Sequence, residues 1–342
     1  MIRIGVDAWN LPGDRRGIGR YLRAVLRAWS ERFRDRVDVT LVVPEWHAWT
    51  VAQRYRREVD RSYPVVSRRF HGRAGLDALW FPFNGCSWTR FSLPAVATLC
   101  DASNFVVPGY APEAQRIFRD AAARCAALLT LSRFSQTELA RELRIPPERL
   151  VPIPLGVSAP LPPREDAGVA SLGRFVLFVG TMERRKGIDV LARAMSLVQR
   201  ERPDLTLVVA GESDPKSIEG IAVAVRALGY VDEQTLAALY RACALFAFPS
   251  RYEGFGLPIL EAMSYGTPVV TCTASSLPEA GGDAAHYVEP EDPQALAEGI
   301  RRVVDDAAYA AELRRRGLAR AATMTWERTA AATLDVFEGI LQ

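Results

Sequence analysis

The sequence predicts an α/β protein built from two Rossmann-like, doubly wound parallel-sheet domains that face a cleft. Short apolar runs alternate with amphipathic helical stretches, as expected when strands are buried on both faces of a parallel sheet. This alternation occurs twice, on either side of a Pro-rich polar stretch at 158–168. The length agrees, because 342 residues exceed one ordinary core and suit two domains.

The first series of strands and helices starts at the N-terminus. An alternating strand at 2–8 leads through a Gly-rich turn at 13–19 into a helix whose apolar residues follow the i, i+3, i+4, i+7 spacing from Leu22. We predict that residues 1–160 form one Rossmann-like domain. Its other strands are predicted at 39–44, 78–83, 95–100 and 127–132, and its other helices at 111–126 and 135–143.

The second series starts with an apolar strand at 174–180. We predict a second Rossmann-like domain at 170–322, followed by a helix at 323–342 that packs back towards the first domain. The strands are predicted at 205–211, near Tyr230, at 244–250 and at 268–272, and the helices at 188–199, 217–228, 233–242 and 258–265.

The composition excludes several classes of protein. Hydrophobic residues make up 49% and charged residues 24% of the chain, and no run approaches the roughly 18 to 20 apolar residues of a membrane helix. The N-terminus lacks the pattern of a secretory signal. Five scattered cysteines without a Cys-x-x-Cys pair, and three unrelated histidines, argue against a disulfide framework and a metal site. We expect a reduced, cytoplasmic protein without a metal or cofactor.

Charge is distributed unevenly along the chain. Residues 1–160 contain 24 arginines, no lysine and 15 acidic residues, a net charge of +9, whereas the remainder carries −6. A basic N-terminal half could contact an anionic acceptor or the inner face of an anionic membrane. The alternative is that the arginines only decorate solvated helix faces. No stacking aromatic or recognition motif accompanies them, so no nucleic-acid partner is expected.

A Gly-rich, basic segment follows the first strand of the second series. It reads GTMERRKG (180–187) and leads into a helix. Backbone N–H groups at a strand end and at a helix N-terminus favour an anion. Arg185 can bind a diphosphate with two parallel hydrogen bonds, and Lys186 adds a mobile point charge. The segment predicts a diphosphate site that is not a Walker A loop; a solvated, charged helix start is the alternative.

A second loop, EGFGLPILE (253–261), follows the strand at 244–250. Gly254 and Gly256 leave the backbone unhindered ahead of a helix. Glu253 in the loop and Glu261 about two turns into the helix can face one cleft, and carboxylates accept hydrogen bonds from sugar hydroxyls. Glu261 lies in an apolar setting, which predicts a hydroxyl-bearing or cationic partner, with a salt bridge to an arginine as the alternative.

Taken in order, these segments resemble the group 1 (family-four) glycosyltransferases. The string EGFGLPILEAM around Glu253 and Glu261 is highly specific, and GTMERRKG and SSLPEA accompany it. GIGRYLRAVL, ATLCDASNF, LSRFSQTEL and PLGV follow the family order in the N-terminal half, so the resemblance covers nearly the whole chain.

The resemblance implies a retaining, metal-independent hexosyltransferase of GT-B architecture that needs no cofactor. Its donor would be a nucleotide-diphosphate sugar, which makes 170–322 the nucleotide-sugar-binding domain. Its acceptor would be a carbohydrate, lipid-linked or small-molecule hydroxyl, which makes 1–160 the acceptor-binding domain. Arg185 and Lys186 would stabilise the leaving diphosphate, and Glu253 would contact the transferred sugar. The other implied donor contacts are Glu261 at the ribose, Tyr230 and Val231 at the base, Gly180, Thr181 and the backbone of Gly254, Phe255, Gly256 and Leu257 at the sugar and phosphates, and Gly17 and Gly19 across the cleft.

Two positions depart from the family pattern. Cys100-Asp101 stands where relatives often have His-Asp, a histidine that usually contacts the sugar. Cys100 is predicted to pack in the core. Asp101 is predicted to be catalytic, with a helix N-cap or turn as the alternative. Thr181 stands where many relatives have a phosphate-binding arginine, and Arg185 is expected to compensate.

Two other functions remain open from the sequence. A nucleotide-sugar 2-epimerase on the same scaffold would need a histidine in a cleft motif, and this chain has none there. A catalytically silent nucleotide-sugar-binding partner is favoured only by Cys100. The set Arg185, Lys186, Glu253 and Glu261 favours turnover.

Overall fold

Two parallel β-sheets carry the fold, one in each of two units. The first unit contains Met1–Gly156 and Thr325–Gln342, and the second contains Val157–Met324. The predicted α/β class with two doubly wound parallel sheets is confirmed. The computed structural model describes residues 1–11, 17–44, 53, 63–110, 112–164, 166–212 and 214–342.

Within the described residues, the first unit holds seven parallel strands in the order β3-β2-β1-β4-β5-β6-β7. The inner strands are buried along most of their length, which explains why they read as continuous apolar runs. The strands are β1 Ile2–Asp7, β2 Val37–Val43, β3 Val65–Ser67, β4 Ala78–Phe81, β5 Ala95–Thr98, β6 Ala127–Thr130 and β7 Leu150–Pro152.

The second unit repeats the arrangement with six parallel strands in its described part, in the order β10-β9-β8-β11-β12-β13. Strands β8 and β9 pair along their whole length, from Arg174 opposite Leu205 to Val179 opposite Ala210. The strands are β8 Arg174–Val179, β9 Leu205–Ala210, β10 Val225–Gly229, β11 Leu245–Phe248, β12 Val269–Cys272 and β13 His286–Val288.

Helices connect the strands of both sheets. No helix in the described part of the chain is long and apolar enough to cross a membrane. The helices are α1 Gly17–Arg32, α2 Ser103–Val106, α3 Pro112–Arg124, α4 Arg133–Leu143, α5 Ala167–Ala170, α6 Ile188–Glu201, α7 Glu233–Ala242, α8 Leu257–Ser264, α9 Leu277–Gly281, α10 Pro293–Asp305, α11 Ala307–Thr323 and α12 Trp326–Leu341.

The helix predicted at 217–228 is wrong. Pro215–Ile218 form a 3-10 turn, and the edge strand β10 occupies the end of the predicted helix. Gly220 between them has a φ of 77°, outside the helical range, and the residues that follow pair with β9 as a parallel strand. Strands β3, β7 and β13, of three residues each, are too short to show a period and were not predicted.

Helix α12, at the end of the chain, belongs to the first unit. Trp29 of α1 donates its indole N–H to the carbonyl oxygen of Ala330 at 2.9 Å, and its ring lies edge-on to Phe337, with ring centroids 6.3 Å apart. Thr329 donates to the carbonyl oxygen of Pro154 at 2.8 Å. Buried aromatic area and a satisfied indole N–H therefore hold the last helix in the core of the first unit.

Each sheet contains a point where the direction of winding reverses. This switch point lies between β1 and β4 in the first unit and between β8 and β11 in the second. Ligands of doubly wound sheets bind outside the carboxyl ends of the strands at such a point. The loops that follow these four strands are therefore the first places to look for function.

A substitution at Gly156 tests how closely the start of α12 packs against the chain at this position. A Cβ atom at Gly156 would lie 2.2 Å from the backbone nitrogen of Trp326, and backbone cannot move aside cheaply. We expect Gly156→Ala to lower the free energy of unfolding by about 1–3 kcal/mol, measured by urea denaturation. Gly339→Ala, in α12 with open space around the added methyl, is the control and should stabilise by up to about 1 kcal/mol. Equal stability of the two variants would contradict this packing.

Candidate functional site

The two loops singled out by the sequence follow the two strands at the switch point of the second unit. The diphosphate loop, residues 180–187, follows β8, and the glutamate loop, residues 249–256, follows β11. The fold therefore brings together segments that are about seventy residues apart in the sequence because their strands are neighbours. The predicted carboxylates and cations meet at this edge.

Lys186 and Glu253 form an ion pair between the two loops. The Nζ atom of Lys186 lies 2.6 Å from Oε1 of Glu253, and the side chains are only 16% and 12% exposed. The ammonium group also lies 5.7 Å from the centroid of the Phe248 ring. Partial burial makes each charge depend on the other, because an isolated charge in such surroundings is strongly unfavourable.

Arg185 connects the same two loops in a second way. Its guanidinium donates to Oε1 of Glu183 at 2.6 Å and to the carbonyl oxygen of Tyr252 at 3.1 Å. Thr181 donates to the same Glu183 oxygen at 2.9 Å. The carboxylate of Glu183 thus orients Arg185 beside Lys186, and two cations lie at the end of β8.

Gly187 allows the diphosphate loop to approach the glutamate loop. It has a φ of 72°, and a Cβ atom there would lie 2.0 Å from the carbonyl oxygen of Pro249. Only glycine combines this backbone conformation with this contact. The backbone N–H of Arg251 then donates to the carbonyl oxygen of Arg185 at 2.8 Å, which fixes the spacing of the loops.

An ion pair that sequence reasoning missed, between Arg251 of the glutamate loop and Asp189 of α6, supports the loops. Arg251 donates to both carboxylate oxygens of Asp189, at 2.7 and 3.1 Å. Burial alone would raise the pKa of Asp189, but the hydrogen bonds and charge of Arg251 outweigh it and lower that pKa. The same contacts raise the pKa of Arg251. The available signal was an arginine directly after a buried strand, and its partner could not be identified without the fold.

Glu261 lies on the helix that follows the glutamate loop. The side chain is 6% exposed, and Oε2 accepts a hydrogen bond from the hydroxyl of Tyr240 at 3.3 Å. The predicted hydroxyl-bearing partner is therefore present. Tyr240 in turn stacks on Tyr265, with ring centroids 5.5 Å apart, so the carboxylate is held by a rigid aromatic pair.

The segment SSLPEA contributes to the same loop. Ser275 accepts the backbone N–H of Glu253 at 3.0 Å, and Ser276 donates to the carbonyl oxygen of Glu253 at 2.8 Å. These two serines fix the backbone from which Glu253 projects. The sequence carried the signal only through the family resemblance, because two serines have no characteristic spacing of their own.

The remaining predicted residues of the second unit lie around the two loops. Phe255 and Leu257 have buried side chains, which leaves their backbone as the part that a ligand at this loop could meet. Gly254 and Gly256 are also buried, and Gly256 precedes α8 as its N-cap. At the start of the diphosphate loop, Gly180 donates its N–H to the carbonyl oxygen of Ala210 at 2.9 Å. Tyr230, 75% exposed, and Val231 follow the end of β10.

The other predicted residues belong to the first unit. Gly17 and Gly19 lie in the first turn of α1, and most of the predicted Gly-rich turn before them lies outside the described residues. Cys100 is buried, and its N–H donates to the side-chain oxygen of Asn84 at 2.8 Å. Asp101 accepts the N–H of Ser103 at 2.8 Å, the turn contact expected as the alternative to a catalytic role.

Among the described residues, no three His, Cys, Asp or Glu side chains are grouped so that they could hold a metal ion. The positive charge at the carboxyl end of β8 comes from Arg185 and Lys186. The arrangement can therefore bind an anion with two cations while a carboxylate, Glu253, offers hydrogen-bond acceptors beside it.

Comparison with known proteins agrees with this geometry. The family model for group 1 glycosyl transferases matches residues 173–306. The O-antigen chain mannosyltransferase B of Escherichia coli is 34% identical over 269 residues, covering 71% of this chain and 70% of that protein. The chain belongs to the group 1 glycosyltransferases. It is therefore an enzyme, and the silent binding partner considered from the sequence is not supported.

Other similar proteins extend the picture. The serotype-specific mannosyltransferase WbdA of Escherichia coli is 33% identical over 179 residues, which cover 49% of this glycosyltransferase but only 22% of WbdA. The structure of HepE from Anabaena in complex with UDP and glucose matches with a TM-score of 0.76 at 17% identity, covering 99% of this chain and 100% of HepE. At this identity the match shows the fold, which is the GT-B architecture of glycosyltransferases.

The buried pair of Asp189 and Arg251 predicts how the stability of this glycosyltransferase depends on pH. Because the pKa of Asp189 is lowered in the folded state, its contribution is complete above the unfolded-state pKa of about 3.9 and is lost as the pH falls through the folded-state value. We expect Arg251→Gln to lower the free energy of unfolding by up to about 3 kcal/mol at neutral pH. The difference from wild type should shrink as the pH falls below about 4.

The measurement is urea denaturation at several pH values. Arg193→Gln is the matched control, because it removes an exposed arginine from helix α6, which also carries Asp189. It should leave stability nearly unchanged at every pH. A loss in Arg251→Gln that is independent of pH would show that the ion pair with Asp189 is not its cause.

Proposed function

We propose that this glycosyltransferase moves a hexosyl group, most simply mannose, from a nucleotide-diphosphate sugar to an acceptor hydroxyl, with retention of configuration and without a metal. The observation that carries the proposal is the contact between Lys186 and Glu253 at the switch point of the second unit. It sets a cation suited to a diphosphate directly beside a carboxylate suited to sugar hydroxyls.

The leaving group determines what the cations would do. Breaking the bond between the anomeric carbon and the phosphate oxygen builds positive charge on the sugar and negative charge on the diphosphate. Cations held in place before the reaction stabilise that developing charge without reorganisation. Arg185 is fixed by Glu183 and by the carbonyl oxygen of Tyr252, and Lys186 by Glu253, so both are positioned in advance.

Two carboxylates would hold the sugars of the donor. Glu253, whose backbone is fixed by Ser275 and Ser276, would accept hydrogen bonds from the transferred hexose. Glu261, oriented by Tyr240, would accept them from the ribose. The exposed Tyr230 and the half-buried Val231 would frame the base, and the backbone from Gly254 to Leu257 would line the sugar and phosphates.

Retention and independence of metal are parts of the same proposal. The acceptor hydroxyl would attack the face that the diphosphate leaves, and the leaving phosphate would take its proton, so no nucleophile from the protein is required. Asp101 would position the acceptor hydroxyl through a carboxylate already anchored to its own turn by the N–H of Ser103. Arg185 and Lys186 would supply the positive charge that a metal ion provides in other transferases.

The nature of the donor rests on similar proteins. The two relatives described above, each identical to this chain at about a third of the aligned residues, are named as mannosyltransferases, which supports mannose as the transferred sugar. HepE binds UDP and glucose on the same fold, which supports a nucleotide-sugar donor.

Removal of the cations should reduce transfer. We expect Lys186→Ala and Arg185→Ala each to lower kcat/KM by about 10²–10³-fold, because each removes a charge that stabilises the leaving diphosphate. Release of the nucleoside diphosphate from the donor, measured in EDTA, reports the rate. Arg184→Ala is the matched control, since Arg184 lies in the same loop but is 81% exposed. An equal loss in Arg184→Ala, or activity only after metal is restored, would contradict the proposal.

Nucleoside diphosphates should stabilise the protein against heat, since a ligand that prefers the folded state raises Tm. UDP, GDP, dTDP and ADP form the panel, and the most effective base is then compared with its 2′-deoxy analogue. If Glu261 accepts hydrogen bonds from the ribose, the ribose form should raise Tm more, and Glu261→Gln should reduce that difference. An identical preference in wild type and Glu261→Gln would remove Glu261 from the ribose site.

A further inference from the structure

A cavity lies within the first unit, and none of its lining residues is among those assigned to the donor. Its volume is about 520 Å³. It opens where β3 and β4 end, beside the end of β1, and therefore lies at the switch point of the first sheet. The residues that line it are Arg68, Arg69, His71, Trp88, Thr89 and Arg90.

One arginine of this cavity is held by a buried carboxylate. Arg68 donates to Oδ1 of Asp7 at 2.9 Å and to the hydroxyl of Ser87 at 2.7 Å. Ser87 donates in turn to the other oxygen of Asp7, at the end of β1. Burial raises the pKa of Asp7, and the charge of Arg68 opposes that shift. Three elements of the sheet thus fix the guanidinium of Arg68.

The cavity carries more positive than negative charge. Arg69 and Arg90 are exposed, and neither forms an ion pair with a carboxylate among the residues that the structure describes. Asp7 balances one of the three guanidinium groups. An anion with several oxygen atoms can accept hydrogen bonds from the other two, and phosphate matches the planar, paired donors of arginine.

An aromatic wall completes the cavity. The ring of Trp88 lies edge-on to His71, with centroids 4.8 Å apart, and packs against Phe81 at 5.4 Å. The Nδ1 atom of His71 lies 2.7 Å from the carbonyl oxygen of Arg68 and donates to it, which fixes the imidazole against the indole. A rigid apolar surface beside cations suits a ring that carries a charged substituent.

We propose that this cavity binds the acceptor through a phosphate group, with Arg68, Arg69 and Arg90 on the phosphate and Trp88 against the sugar ring that carries it. The proposal rests on the proposed transfer of a hexose, because that reaction requires an acceptor. A phosphorylated sugar in solution and a lipid headgroup that joins a ring to a phosphate share this chemistry. The arginines select the phosphate, and the indole selects the attached ring.

The test removes the two exposed arginines together. In Arg69→Gln/Arg90→Gln, the dissociation constant for mannose 1-phosphate, measured by calorimetry, should rise at least about tenfold, because two charge-assisted contacts are lost. A saturating nucleoside diphosphate from the panel above fills the donor site during the titration. Arg116→Gln/Arg124→Gln, on the exposed side of α3, removes the same charge elsewhere in the unit and should change the constant less than about twofold.

The source of the phosphate is distinguished by a second arm. The same variants are sedimented with phosphatidylcholine vesicles that contain phosphatidylinositol, and with vesicles that contain phosphatidylserine instead. Weaker binding of the soluble sugar phosphate alone identifies a soluble acceptor. Selective loss of binding to phosphatidylinositol vesicles identifies a lipid headgroup. No difference between the two double variants in either arm overturns the proposal, as does a wild-type protein that binds neither probe.

Donor hydrolysis by the wild-type protein separates this inference from the proposed function. Hydrolysis together with unchanged phosphate binding in Arg69→Gln/Arg90→Gln would overturn only the cavity. A functioning phosphate cavity in a protein that never releases nucleoside diphosphate would overturn only the transfer reaction. If the double variant melts earlier than wild type, Arg90→Gln alone repeats the titration, with an expected rise of about threefold or more in the dissociation constant.

Discussion

The ion pair between Lys186 and Glu253 connects two loops that lie sixty-seven residues apart in the sequence. Both charges are largely withdrawn from water, so each would be strongly unfavourable without the other. The close approach at Gly187, the guanidinium of Arg185 on the carbonyl oxygen of Tyr252, and the serines behind Glu253 all maintain the short distance between these loops. The two loops form one site because the ion pair and the contacts that support it are all present in the same fold.

The same topological feature positions chemistry in both units. At a switch point, the connections of two neighbouring strands lead away in opposite directions. The carboxyl ends of these strands therefore leave a crevice that no connecting helix fills. In the second unit this crevice receives Arg185, Lys186 and Glu253. In the first it receives Asp7, Arg68 and Trp88, with Cys100 and Asp101 two strands away on the same edge. Each unit of this glycosyltransferase therefore contains one crevice in which charged side chains meet.

Much of the fold could be predicted because its signals are local. Strands buried on both faces read as short apolar runs, and helix α7 begins and ends where its spacing predicts. The helix expected at 217–228 failed for a physical reason: small and β-branched residues around Gly220 suit either period, and pairing with β9 decided for a strand. Strands of three residues carry too few positions to reveal any period. For this reason β3, β7 and β13 could be identified only from their pairing with neighbouring strands.

The sequence by itself determined the two-domain α/β class, the family, and the residues that carry charge in the diphosphate and glutamate loops. These follow from residue type and short-range order. Tertiary structure alone decided which charges meet. Three ion pairs each join distant segments of the sequence: Lys186 with Glu253, Arg251 with Asp189, and Arg68 with Asp7. The reason is that parallel strands become neighbours through long crossovers, so their partners are set by the order of the sheet and not by spacing along the chain.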